Sequence, residues 1–466
     1  MKVVRILAGL AAAVSLAAVL GGAGCAQPAA KKAPAQEAGL PVSAAAAADK
    51  GLDRLWQTDF LLTRKTSLTK LWLCGRYIIG RGSDNRIYCA SARTGINLWT
   101  YKAAEPFQSV WQPAVDKDIV WVATTTRLIG IDGLSGSEVA SIDLDFAPAG
   151  RPVTNGVHCF LPDAKGWLQA VGILPKIVAW GRVTNDSLTA APVLDNTFVY
   201  FAGQNGTVYA SQQNTRHVVW EHKTEGSVIA DLQRTKAGLI LVASLDYTLY
   251  AFQGPSGRIL WRFNAGEPIR TTPYTVGKQV FLPTKTAGVT ALDAGTGRQQ
   301  WALAEGTNFI SADPKIVYIL SRTGDVLAVN RTDGTVKTTL AVAPGTMEAI
   351  NQTDNGALFL ASPFGKVVAL ARKGLAEEKK PEGEGSEEGK PSVKKPAPMA
   401  PAAGAAPAVA PLGPAAPGAA PAAPAAPEGG APAAPAAPAA PAAPEGGAPA
   451  APAAPAAPAE PAAEAK

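Results

Sequence analysis

The side chains best equipped for chemistry in this 466-residue chain are four cysteines, three histidines and a pair of aspartates. The cysteines stand at positions 25, 74, 89 and 159, neither adjacent nor in a Cys-x-x-Cys spacing. They therefore offer no dithiol redox pair and no zinc knuckle. His217 and His222 fall five residues apart in a stretch rich in β-branched residues, so on a strand they point to opposite faces. His158 is remote in sequence, and ordinary satisfied or exposed imidazoles are expected rather than a metal site. Asp143 and Asp145 echo the start of a calcium loop but lack its glycine. No P-loop, GxGxxG, HExxH or EF-hand pattern occurs, and no catalytic triad assembles from the scattered serines and aspartates. The expectation is no catalytic residue, no metal and no cofactor.

The elements that would carry any site are repeats. An aliphatic residue, any residue and then a small one recur before a turn, with the small positions at Cys89, Gly130, Ala170, Ala210, Ala251, Ala291, Ala328 and Ala369. Their spacings are 41, 40, 40, 41, 40, 37 and 41 residues. Ten residues further on stand Trp99, Ala140, Trp180, Trp220, Trp261, Trp301 and Thr338. Between these marks, short runs such as FVYFAG (198–203), TVYAS (207–211) and HVVWEH (217–222) alternate with turn pairs such as Asn205-Gly206 and Thr296-Gly297. These are strand and hairpin signals, and no helix period intervenes. Four short strands per repeat make a β-propeller blade, and the count predicts eight blades over 51–374. The last unit stops after three strands. Its fourth is expected from the front of the chain (GLDRLWQTDF), where Trp56 precedes Trp99 by 43 residues. That loan closes the ring and removes its open edge. Trp56, Trp99, Trp180, Trp220, Trp261 and Trp301 are expected as structural wedges between blades, each burying roughly 150–250 Å². Cys74 would end the first strand of blade one and Cys89 lie on its third. Strands ~4.8 Å apart hold them ~10 Å from each other, beyond disulfide reach. Three buried free thiols follow.

The flanks differ in composition. Lys2 and Arg5 precede an apolar stretch, Ile6 to Leu20, and then small residues up to Cys25. This describes a secretory signal over 1–25, too short for a bilayer span of ~20 residues. Cys25 after Ala23-Gly24 resembles the lipobox of bacterial lipoproteins, although Gly22 replaces the usual leucine. Acylation at Cys25 and an outer-membrane location facing the periplasm are expected, since Ala26 rather than aspartate follows. A soluble periplasmic or secreted protein is the alternative. Residues 26–50 read as a flexible tether. Residues 375–466 turn to Glu/Lys and then nearly pure Ala/Pro, with nothing to offset the entropy of ordering, so a disordered tail is expected. The net charge of +6 includes no Lys/Arg-rich run, which disfavours nucleic-acid binding.

The segment TTPYTVGKQVFLPTKTAGVTALDAGTGRQQW (Thr271 to Trp301) closely resembles the PQQ-type propeller repeat, and weaker copies cover 51–374. Eight such repeats behind a lipoprotein signal are similar to the BamB family of outer-membrane assembly lipoproteins. The resemblance implies a monomeric, non-enzymatic envelope scaffold whose protein partners belong to an outer-membrane barrel assembly complex. Two departures stand out. Arg182 to Pro192 (RVTNDSLTAAP) lacks the Leu-Arg-Gly-type docking loop of that family, so no docking residue carries over, and the Ala/Pro tail has no counterpart there. Quinoprotein alcohol dehydrogenases share the repeats, but resemble one another in a larger chain and an adjacent Cys-Cys pair that this sequence lacks. An extracytoplasmic ligand- or peptide-binding propeller is the other alternative. Function is then expected on the loop faces of the disc, and Phe107, Arg151 and Arg270 lie in loops between blades as candidate partner contacts.

Overall fold

Each module folds as four antiparallel strands, and the chain runs through eight such sheets in succession. In the first blade these are Leu68–Cys74, Tyr77–Gly82, Arg86–Ser91 and Asn97–Lys102. This is a computed structural model that describes residues 39–374 apart from 174–177, 185 and 216. The leader with Cys25, residues 26–38 and the tail 375–466 lie outside the described residues. The eighth blade takes Met347–Ala349, Leu358–Ala361 and Lys366–Arg372 from the end of the ring and Leu52–Asp59 from its start. The two ends pair antiparallel from Leu52↔Arg372 to Asp59↔Lys366. The protein is an eight-bladed all-β propeller closed by its N-terminal strand. The short 37-residue spacing before Ala328 has a simple cause. The sixth blade ends at Leu303 and the seventh begins at Gly306, so that connection has almost no loop.

One device recurs around the ring. The small residue on each third strand lies opposite the tryptophan position of the fourth: Cys89↔Trp99, Ala170↔Trp180, Ala210↔Trp220, Ala251↔Trp261, Ala291↔Trp301 and, across the closing pair, Ala369↔Trp56. A larger residue there would push the indole off the sheet. Each indole N–H then donates to a carbonyl in the third-to-fourth-strand turn of the next blade. The acceptors are Ala92, Gly133, Gln213, Gly254, Ala294 and Arg331 for Trp56, Trp99, Trp180, Trp220, Trp261 and Trp301, at 2.7–3.1 Å. Three residues beyond most acceptors stands a glycine with positive φ (Gly95, Gly136, Gly257, Gly297, Gly334). An added Cβ at Gly297 would stand 2.5 Å from the Trp261 ring. Glycine is needed there both for the turn and for the ring lying on it.

The exception at Thr338 is explained by the closure. The third and fourth strands of blade eight come from opposite ends of the chain, so no hairpin turn offers blade seven a carbonyl. The gap is filled by residues expected to be tether. Leu40, Val42 and Ala47 are buried in one cluster with Tyr318, Leu340, Leu358 and Leu370 of blades seven and eight. Ser43 accepts from the Ala46 amide at 3.2 Å and caps the helix Ala44–Asp49, and the Ala343 amide donates to Pro41 O at 2.8 Å. Residues 39–50 are thus a packed strap, a correction to the expected flexible run 26–50. Two arginines strengthen the same seam. Arg372 Nε donates to the fully buried Asp313 at 2.9 Å. Arg331 donates to Val276 O, Gln279, Asp313 O and Asp354, spanning blades six to eight.

Candidate functional site

Antiparallel order sorts the loops onto two rims. Connections from a fourth strand to the next first strand share a rim with the second-to-third-strand turns. Asn85 in one such turn donates to Glu105 O and Gln108 O of the neighbouring connection, both at 2.7 Å. Phe107, Arg151 and Arg270 all lie on this connection rim, between blades one and two, two and three, and five and six. Phe107 is 87% exposed and Arg270 is exposed. They sit half the ring apart, so no small ligand touches both. Arg151 is different. It turns inward, and its Nε donates to Asp231 Oδ2 at 2.9 Å, with about a quarter of the side chain exposed.

Asp231 precedes the first strand of blade five, and its other oxygen accepts from the Ala191 amide at 2.9 Å. The pair therefore joins blades three, four and five across the central channel. It lines two cavities at once. The one toward the connection rim, about 340 Å³, also has Lys70, Trp72, Arg81 and Trp111. The other, about 310 Å³, reaches the opposite turns and adds Gln233, Tyr274, Gln352 and Thr353. Burial pushes the Tyr274 hydroxyl up to about 12, with the Asp231 and Glu348 charges adding to the effect. Burial also raises the Glu348 carboxyl above the ordinary range. The channel is therefore a polar space in which Arg151 is matched by Asp231, while Arg81 donates to Val110 O and Lys70 stands at the connection-rim end. It can take up water or a polar chain, and its Arg151 is neutralised.

The remaining candidates are dispersed. His158 is half-buried beside Phe160, with its Nδ1 buried and unpartnered, and burial lowers its pKa. His222 packs edge-on against Phe252 at 5.2 Å, and burial, then Arg262, lowers its pKa. His217 is exposed just before the strand Val218–Lys223. Asp143 and Asp145 are exposed, and no group of His, Cys, Asp or Glu among the described residues could hold a metal ion. Cys74, Cys89 and Cys159 are buried and free. Burial pushes Cys74 and Cys159 to about 12 and raises Cys89 further, so none is a nucleophile near neutrality. Sequence reasoning missed Asp231, Tyr274 and Glu348. No recurring residue type marked them, since the innermost strands begin variously at Leu68, Ala114, Val153, Gln233, Tyr274 and Met347.

Among curated proteins, the chain is 34% identical over 70 residues to the quinoprotein alcohol dehydrogenase PedE of Pseudomonas putida, which is 15% of this chain and 11% of that protein. It therefore spans about a tenth of that relative's length. It is 21% identical over 271 residues to the outer membrane protein assembly factor BamB of Moranella endobia, covering 51% of this chain and 70% of that one. Among solved structures, BamB from Moraxella catarrhalis superposes with a TM-score of 0.56 at 17% identity, over 69% of this chain and 97% of that one. At that identity the likeness speaks for the fold. The family described as outer membrane protein assembly factor BamB matches residues 45–222 and 204–404, through both halves of the ring. That match covers well over half of the chain, which belongs to the BamB family.

Proposed function

We propose that the protein is a non-enzymatic scaffold of the bacterial envelope, anchored through acylated Cys25 at the outer membrane, that serves outer-membrane β-barrel assembly through its connection rim. The observation that carries this reading is the family match running through the whole ring. The geometry supports it: tryptophan-locked blades hold the rim loops on a stiff frame, and Phe107 offers a large exposed anchor of the kind partner pockets bury. Arg270 supplies charge on the far side of the same rim, and Arg151 meets an inserted loop only by exchanging Asp231. Affinity capture from detergent-solubilised membranes tests this. An outer-membrane barrel protein is expected in the eluate, and Phe107→Ala with Arg270→Glu should weaken capture about tenfold. A monomer eluting alone, or with a small molecule in its channel, would overturn it.

The local likeness to PedE favours a second reading, a quinone-dependent dehydrogenase. The residues present do not fit that cofactor. Pyrroloquinoline quinone is a tricarboxylate, and of the three cations lining the channel Arg151 already faces Asp231 and Arg81 already donates to Thr69 and Val110 O, which leaves Lys70 for three carboxylates. The sequence has no adjacent cysteine pair to stack on the ring. Adding the quinone with calcium should leave its absorbance that of the free molecule.

A further inference from the structure

The connection rim carries a second feature at the ring closure, where blade eight meets blade one. Leu61 is 82% exposed and Phe364 73% exposed. The turn that presents Phe364 packs against the loop that presents Leu61. The Phe60 amide donates to Gly365 O at 2.9 Å, and a Cβ on Gly365 would meet Leu62 Cγ at 2.9 Å. Beside Leu61, the Thr66 amide donates to Thr63 O at 3.1 Å and the two hydroxyls bond at 2.6 Å. This tight turn lifts Arg64 and Lys65 into solvent at its tip. Lys65 has φ 70°, a left-handed backbone that glycine adopts without strain and lysine does not. Of the nearby acids, Asp84 pairs with Arg86 at 3.4 Å, and Asp59 stands in register with Lys366 in the closing strand pair. Among the described residues Arg64 and Lys65 face no carboxylate within ion-pair distance, so the patch is apolar and cationic. The N-terminal segment leaves the described structure at this spot: a Cβ on Gly39 would touch Phe364 and Lys366 at 3.8 Å. Gly39 stands 14 positions after Cys25, a reach of at most roughly 50 Å.

We propose that Leu61, Phe364, Arg64 and Lys65 form a bilayer-contact patch that inserts two apolar side chains among anionic phospholipid headgroups and sets the propeller's closure edge against the membrane. Its location rests on the anchor reading above. An apolar-basic surface next to the tether adds interfacial and electrostatic attraction to the lipid anchor and fixes which edge of the ring meets the headgroups.

Vesicle flotation tests it, using the chain from Ala26 to Lys466, which keeps every described residue and lacks both leader and Cys25. It should float with phosphatidylethanolamine vesicles containing phosphatidylglycerol, and far less with phosphatidylcholine alone. Leu61→Ser with Phe364→Ser should lower partitioning on the order of tenfold. Lys65→Gly should lower it severalfold while leaving thermal stability equal or higher, which separates lipid contact from folding. Phe107→Ser should change nothing. The proposal falls if the parent chain stays at the bottom of the gradient, if the serine variant floats like the parent, or if Phe107→Ser does equal damage. It also falls if flotation requires outer-membrane barrel proteins in the vesicles, which would assign the patch to a protein partner. Palmitate labelling of the full chain, compared with Cys25→Ser, reads the anchor independently. Absence of label would remove the anchor reading and leave the vesicle result standing.

Discussion

Glu348, on the innermost strand of blade eight, shows what the channel costs the fold. Burial raises its carboxyl pKa, against smaller opposing effects from a backbone amide, Asn308 and Lys70. A carboxyl held above its unfolded value of about 4.3 stabilises the fold most below that value. The contribution is lost as pH rises through the folded pKa, because the ionised form is poorly solvated in place. Glu348→Gln should therefore raise the melting temperature near neutral pH and leave it nearly unchanged below about pH 4. Thermal unfolding at the two pH values checks the sign, and an equal shift at both would point to lost packing instead. The buried thiols give a second residue-level test. With Cys74 and Cys159 pushed to about 12 by burial, folded Cys25→Ser protein should resist alkylation at neutral pH. Unfolding in urea should expose three reactive thiols, counted by mass.

At the scale of the element, the wedge of tryptophan on a glycine turn makes a sharper demand than burial alone. Trp261→Phe removes the N–H that bonds Ala294 O at 3.1 Å and should destabilise by about 1–3 kcal/mol. Gly297→Ala should cost a similar amount, since φ is 70° and the new methyl meets the ring. Joining Trp261→Leu to Gly297→Ala removes the collision. Urea unfolding should then show less than the summed loss, by about 1 kcal/mol. Strict additivity would mean the ring does not rest on the turn. This device was readable in the sequence because it recurs, with a small residue, ten residues and a tryptophan marking blade after blade. The channel was not. The innermost strands of blades three, four and five are two residues long, and Arg151 and Asp231, 80 positions and two repeats apart, hold the same place before their strands but differ in residue type, so no recurring residue marked them. The strap was hidden for another reason. Alanine-rich sequence reads as low complexity, and only Leu40, Val42 and Ser43 distinguish residues 39–50 from a spacer.

For the whole molecule, stability concentrates at one seam, because every other blade is continuous and the eighth joins strands from the two ends of the chain. Two truncations separate the strap from the strand. A chain beginning at residue 51 keeps Leu52–Asp59 but uncovers Leu340, Leu358 and Leu370 where Leu40, Val42 and Ala47 had packed. It should remain a monomer and melt several degrees lower, since burying each large aliphatic side chain is worth about 1.5–3 kcal/mol. A chain beginning at residue 61 loses the closing strand as well. It then presents the unpaired edge of Lys366–Arg372, whose VVALA segment is apolar and has no proline. An exposed edge of that kind recruits another chain. Size-exclusion chromatography should show dimers and larger species, and a peptide spanning residues 39–60, added in excess, should return the monomer by occupying the same register. Recovery demands both the strap's apolar contacts and the strand's hydrogen bonds, so a peptide of 51–60 alone should be weaker. If the chain from residue 61 stayed monomeric and equally stable, seven continuous blades would suffice to hold the eighth, and the borrowed strand would be an ornament to a ring already closed by its tryptophans.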